Sequence, residues 1–216
     1  MTLVAEKPVG VAPVVRELGL VDYAQALVAM RRFTAQRSED TPDELWLLEH
    51  PPVYTLGQGA DPAHGPKAGT GIEVLRVERG GEVTYHGPGQ LVVYTLVDIA
   101  RRGIKVREYV RLLEQGIIDL LASHGVVAAR KPRAPGVYVD GAKVAALGIR
   151  ITHGRALHGL SLNVDMDLVP FAAIDPCGYP GLAVTQTRDL GIAAGIDALG
   201  EELARRISGH LEAGHA

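Results

Sequence analysis

The chain has 216 residues, 47% hydrophobic and 22% charged, with a formal net charge of -3. That balance suits a soluble globular protein with room for one substantial core, and it lacks the basic excess of a nucleic-acid-binding face. One cysteine excludes an internal disulfide, the start MTLVAEKPVG has neither the basic residues nor the apolar run of a signal peptide, and no apolar run is long enough to span a membrane, so the expected location is the cytoplasm.

Along the chain, residues 1–12 read as a flexible N-terminal arm, and residues 13–216 as a single domain. Leu20 to Ser38 carries Tyr23, Leu27 and Met30 at helical spacing, which predicts an amphipathic helix. ELWLLEH, from Glu44, is a strand stopped by Pro51 and Pro52. Asp61 to Gly71 is a loop by composition. From Glu73 to Ile99, strand-like runs alternate with glycine breaks. Val106 to Gly125 is the clearest helix, and Gly125 suits its C-terminal stop. GVYVDGAKVAALGIRI is a hairpin signal, two apolar runs joined by Asp140-Gly141. ALHGLSLNVDM is a further strand, and Gly195 to Gly214 a last helix. This order predicts an α/β or α+β fold with a mixed sheet.

Three features carry chemistry. Cys177 sits in Pro-Cys-Gly-Tyr-Pro-Gly, which cannot be the interior of a helix or strand. A lone cysteine is more often a small buried hydrophobe than a nucleophile, but a turn presents its side chains at a surface. At an ordinary thiol pKa of about 8.5 a nucleophilic role needs a partner that favours the thiolate. His86, His153 and His158 are possible partners, each equally readable as hydrogen-bonded structure. HGRALH, from His153 to His158, has no metal-ligand spacing. Lys143 is another; only 5 of the 22 basic residues are lysines. It opens a strand of otherwise apolar and small residues, where a lysine either reaches to water or, if buried, stabilises a nearby thiolate. At about 4 Å and an effective dielectric near 20 such a pair gains roughly 4 kcal/mol before desolvation. The second feature is RGGEVTYHGPGQ, Arg79 to Gln90, whose glycines let backbone approach a ligand or simply bend the chain; it has neither dinucleotide nor phosphate-loop spacing. The third is HGLSLNV, His158 to Val164, a strand thinned by Gly159 and Ser161.

RGGEVTYHGPGQLVVY, GAKVAALGIRI, HGLSLNV and IDPCGYPG stand in the order and at the spacing of the lipoyl(octanoyl)transferases, and the chain resembles that family from about Leu18 to Leu190. The resemblance implies an α/β fold of the biotin/lipoate protein ligase type: a catalytic domain with a large mixed sheet flanked by helices, plus a small sheet. It implies an acyltransferase that moves an octanoyl group from octanoyl-acyl carrier protein to a lysine of a lipoyl domain, the first step of endogenous protein lipoylation. The acceptors it implies are lipoyl domains of 2-oxo acid dehydrogenase complexes and the glycine cleavage H protein. Cys177 is then the acyl-thioester nucleophile and Lys143 the residue that lowers its pKa. Substrate contacts are implied from Arg79, Gly80, Gly81, Glu82, Val83, Thr84, Tyr85 and His86, from Ala146, Leu147 and Gly148, and from Gly159, Leu160 and Ser161. No metal, nucleotide or other cofactor is implied, nor any nucleic acid or membrane partner, and the default state is a monomer. Backbone amides beside Gly148 or Gly178 are candidates for the oxyanion site, and Arg150, Arg155 and Arg188 for steering acidic partners. Three other readings stay open: an ATP-dependent ligase, a cysteine hydrolase using His86 or His158, and an acyl-binding protein in which Cys177 is inert.

Overall fold

The computed structural model describes residues 11–67, 70–175 and 181–213. Among the described residues a large sheet runs β1 (Val14–Leu20), β2 (Glu44–Glu49), β6 (Gln90–Leu96), β10 (Arg155–Asn163), β9 (Ala142–Thr152), β8 (Ala134–Val139) and β7 (Ala129–Lys131) in spatial order. β1 and β2 are parallel and every other neighbouring pair is antiparallel, so the sheet is mixed. A small sheet sets β3 (Val53–Leu56) between β4 (Glu73–Arg76) and β5 (Val83–His86).

The helices divide between the faces of the large sheet. α1 (Tyr23–Gln36) packs Ala26 and Met30 on Trp46, Leu48, Val92 and Tyr94. α2 (Val106–Ser123) and α3 (Ile196–Ala213) cover the other face. Tyr109, Leu113, Ile117, Leu120 and Leu121 form the buried stripe of α2. Each such side chain contributes roughly 1.5–3 kcal/mol over exposure. Gly116 lets α3 approach, because a Cβ there would lie 3.0 Å from Ile207 Cγ1.

Two positions differ from the sequence reading. α1 starts at Tyr23 rather than Leu20, with the Asp22 carboxylate accepting from the Gln25 amide as its cap. Leu20 instead ends β1, an edge strand exposed along its whole length. Of the expected N-terminal arm, residues 1–10 lie outside the described residues, and Val11 and Ala12 have no regular structure. The Asp140-Gly141 turn has φ of 48° and 85°, the left-handed pair a tight hairpin of this hand requires. His153-Gly154 makes a second such turn, φ 50° and 76°, between β9 and β10. No helix among the described residues is long and apolar enough to cross a membrane.

Candidate active site

The site grows from the β9–β10 hairpin. The register places Ala146 opposite Ser161 and Gly148 opposite Gly159, so small residues on adjacent strands leave a slot on the α1 side of the sheet. Gly159 is needed there. A Cβ would fall 2.0 Å from the Val93 carbonyl oxygen on β6.

The segment between β4 and β5 roofs this slot. Gly80 donates its amide to the Ile149 carbonyl at 3.0 Å, which ties the roof to β9. Gly148 admits that approach, since a Cβ there would meet Gly80 O at 3.0 Å and Arg79 Cδ at 3.1 Å. Arg79 is buried, and its guanidinium donates to Thr55 Oγ1, to the Thr55 carbonyl at 2.7 Å and to its neighbour Gly80 O. Floor and roof enclose a pocket of about 500 Å3, counting its open mouth.

Of the residues singled out from the sequence, Arg79, Gly81, Glu82, Val83, Thr84, His86, Ala146, Leu147, Gly148, Gly159, Leu160 and Ser161 line this pocket. Gly80 bonds the roof to β9, and Tyr85 turns into a separate apolar cluster with Tyr54 and Phe171. His158, one of the histidines considered as a partner for Cys177, lines the pocket too, as do Tyr23, Val92 and Tyr94; a helix-face tyrosine and an apolar central strand gave no sign of this, because the signal is not local.

Lys143 lies three residues before Ala146 on β9 and is only 4% exposed. Its Nζ donates to the Pro135 carbonyl at 3.2 Å and sits 5.2 Å from the Tyr138 ring centroid. Room for it comes from Gly136, with φ 139°, where a Cβ would crowd Lys143 Cε at 3.1 Å. Lys143 is therefore a buried side chain and not a strand-end one reaching to water. The segment that follows Cys177 in sequence pairs with Lys143: the Lys143 amide donates to Ala183 O at 2.8 Å, and the Lys143 carbonyl accepts from the Thr185 amide at 2.9 Å. Cys177 itself lies outside the described residues.

The histidines and tyrosines around the pocket are neutral and mostly fixed. His86 Nδ1 lies 2.6 Å from Gln90 Oε1, while Gln90 Nε2 donates to Asn163 Oδ1 and the Tyr85 carbonyl. With the amide oriented that way, its oxygen accepts and His86 carries its proton on Nδ1. Burial, reinforced by nearby His50, pushes the His86 pKa down to about 3. His50 donates from Nδ1 to the Val21 carbonyl and takes the Tyr94 hydroxyl on Nε2; burial lowers its pKa and raises that of Tyr94. Asn163 Nδ2 in turn holds the Thr185 carbonyl. One hydrogen-bonded chain thus joins the pocket wall to the segment paired with Lys143.

Of the three arginines considered for steering, Arg155 and Arg188 are paired with Asp98 and Asp165, and Arg150 bonds Gln58. Among the described residues no three His, Cys, Asp or Glu side chains converge as a metal site.

Residues 22–208 match the family model of the lipoyl protein ligase A/B catalytic domain. An octanoyltransferase of Aromatoleum aromaticum is 58% identical over 200 residues, 92% of this chain and 86% of that protein. One of Thiobacillus denitrificans is 60% identical over 198 residues, 90% of each. The fold is similar to that of an ATP-bound lipoate-protein ligase A, with a TM-score of 0.78 at 16% identity, covering 93% of this chain and 86% of that one.

Proposed function

The chain belongs to the lipoyl protein ligase A/B catalytic family, on its octanoyltransferase branch, and from that premise we propose that it transfers an octanoyl group from acyl carrier protein to a lipoyl-domain lysine through a thioester on Cys177. It acts as a monomeric cytoplasmic enzyme, one catalytic domain over residues 13–216. The acceptors are lipoyl domains of 2-oxo acid dehydrogenase complexes and the glycine cleavage H protein.

What supports this reading most is the placement of Lys143. A buried lysine stands at one end of β9, the glycine-walled pocket opens three residues further along the strand, and the segment paired with Lys143 begins six residues after Cys177 in sequence. In the first half-reaction the Cys177 thiolate attacks the octanoyl thioester carbonyl. The new Cys177–acyl bond forms as the carrier thiol leaves with the proton. The lysine amine of the acceptor then attacks that thioester, an amide forms, and Cys177 leaves as thiolate. Lys143, neutral after the first step, accepts the proton lost by the attacking amine, whose unperturbed pKa is about 10.4. The apolar surface of Val92 and Tyr94, with the open space above Ala146, Gly148 and Gly159, receives the alkyl chain, at roughly 0.8 kcal/mol per methylene.

The test is a transfer assay with octanoyl-acyl carrier protein and an apo lipoyl domain, with and without ATP. Octanoylated domain without ATP is the expected result. Product that requires ATP and free octanoate would make the protein a ligase.

A further inference from the structure

The far end of the pocket is built around His158. The residue is 1% exposed and lines the pocket, and neither ring nitrogen has a hydrogen-bond partner among the described residues. Its ring meets that of Tyr94 edge-on at 6.1 Å. Burial lowers its pKa to about 4, so the ring is neutral. Strand alternation would send position 158 to the same side as Leu160, into the core beneath α2 and α3. Instead His158 has φ 62°, a left-handed backbone inside β10, and its ring lies with Tyr94 on the pocket side. A strained residue of this kind persists only where its surroundings hold it, and such positions cluster at ligand sites.

We propose that His158 is the specificity-determining residue that sets the length of the transferred acyl chain, with its ring nitrogens, unpaired among the described residues, as a polar floor where the pocket ends. The inference rests on the transferase reading, which puts the reacting carbonyl at the Lys143 end. Going away from Lys143 along β9, Ala146 faces Ser161, Gly148 faces Gly159, and Ile149 faces His158. Ala146 and Ile149 are about 10 Å apart at roughly 3.3 Å per residue. An extended octanoyl chain, with bonds of about 1.5 Å in a zigzag, reaches about 9 Å from carbonyl carbon to methyl. A carbonyl level with Ala146 and Ser161 therefore puts the methyl level with His158.

Chemistry makes that floor a stop. Buried polar nitrogens are satisfied by water when no side chain does it. An eight-carbon chain leaves room for a water on the ring. A ten-carbon chain gains about fifteenfold from burying two more methylenes, but it strips the water and leaves both nitrogens unpaired, which cancels or reverses the gain.

The experiment measures kcat/KM for hexanoyl, octanoyl, decanoyl and dodecanoyl thioesters of acyl carrier protein, with an apo lipoyl domain as acceptor. The wild-type protein, His158→Leu and His158→Asn are compared, with His158→Met in reserve should the leucine variant not fold. The readout is the decanoyl-to-octanoyl ratio. It should rise about tenfold in His158→Leu or His158→Met. It should stay near wild type in His158→Asn, which remains polar and tolerates a left-handed backbone. An unchanged ratio in the apolar variants, or a wild-type profile flat from eight to twelve carbons, overturns the inference while leaving the transferase intact. An equal loss of kcat at every length with a displaced pH profile overturns it too, by placing the ring at the reacting carbonyl. A wild-type protein that transfers no octanoyl group overturns the transferase reading, and the length gauge with it.

Discussion

Gly159 and Gly148 face each other across β10 and β9, yet methyl groups on them should do different things. At Gly159 the new carbon would lie 2.0 Å from Val93 O and 3.1 Å from Thr95 N. Both are backbone atoms of β6, between buried side chains, so no flexible group can give way. The strands must part by at least about 1 Å to reach the 3.0 Å limit of real contacts. Overpacking of this kind costs about 3 kcal/mol or more when only backbone can move. For a chain of this size each kcal/mol is worth about 2–4 °C, so Gly159→Ala should melt at least about 6 °C lower. At Gly148 the added carbon meets Gly80 O at 3.0 Å and Arg79 Cδ at 3.1 Å, and the roof need rise only a few tenths of an ångström. That weakens the Gly80–Ile149 hydrogen bond, worth about 0.5–1.5 kcal/mol, and loosens the closure over the acyl chain. Gly148→Ala should raise the KM for octanoyl-acyl carrier protein about threefold to tenfold with a melting change under about 3 °C. Thermal unfolding and steady-state kinetics on both variants read this out. A Gly159→Ala protein as stable as wild type, or a Gly148→Ala protein with unchanged KM, would refute the floor-and-roof description.

Three further outcomes are expected. Lys143→Arg keeps a positive charge but gives up ready proton acceptance. Acylation of Cys177 should survive within about tenfold, while transfer to the acceptor lysine falls by about 10²–10⁴; single-turnover kinetics that find both steps intact would remove Lys143 from proton transfer. Asp43 is buried against Arg37, Arg101 and Arg102. Burial opposes its ionisation, but the Asp98 amide and the guanidiniums of Arg102 and Arg37 outweigh that and hold its pKa below the usual range. Asp43→Ala strands those cations and should cost about 3–5 kcal/mol, read as a melting drop of about 10 °C, and a drop under about 3 °C would contradict the pairing. The folded pKa values of His86 and His158, about 3 and about 4, lie below the unfolded value. The unfolded state therefore binds more protons as pH falls, and stability present above about pH 6.5 is lost from there toward pH 4. At pH 5 the loss is about 2 kcal/mol per ring, and a melting temperature flat from pH 7 to 5 would show that these rings are not held neutral.

Part of the site could be read locally, because glycines in its walls let backbone approach a ligand or bend the chain, and the full set of contacts came with the family resemblance. Gly80, Gly81, Gly148 and Gly159 stand in short strand-like runs where a side chain would pack better. The structure accounts for Gly159 by contacts that exclude a Cβ, for Gly148 by contacts that a Cβ would crowd, and for Gly80 by its bond to β9. The Asp140-Gly141 turn was equally plain, since few other pairs take two left-handed residues. β1 was missed because an edge strand exposed on both faces shows no alternation. β3 was missed because four residues after Pro51-Pro52 carry too little pattern. The inward turn of His158 depends on one backbone angle that no spacing rule encodes for histidine. The roles of Tyr23 and Tyr94 depend on the small sheet closing over α1 and β6, a tertiary event.

The most direct test of the account is intact-mass spectrometry of the protein mixed with octanoyl-acyl carrier protein, followed by an apo lipoyl domain and no ATP. The account predicts that one octanoyl group appears on the enzyme, maps to Cys177 and is absent from Cys177→Ala, then passes to the lipoyl domain as free enzyme returns. A lipoyl domain that becomes octanoylated at an undiminished rate by Cys177→Ala would contradict the covalent route.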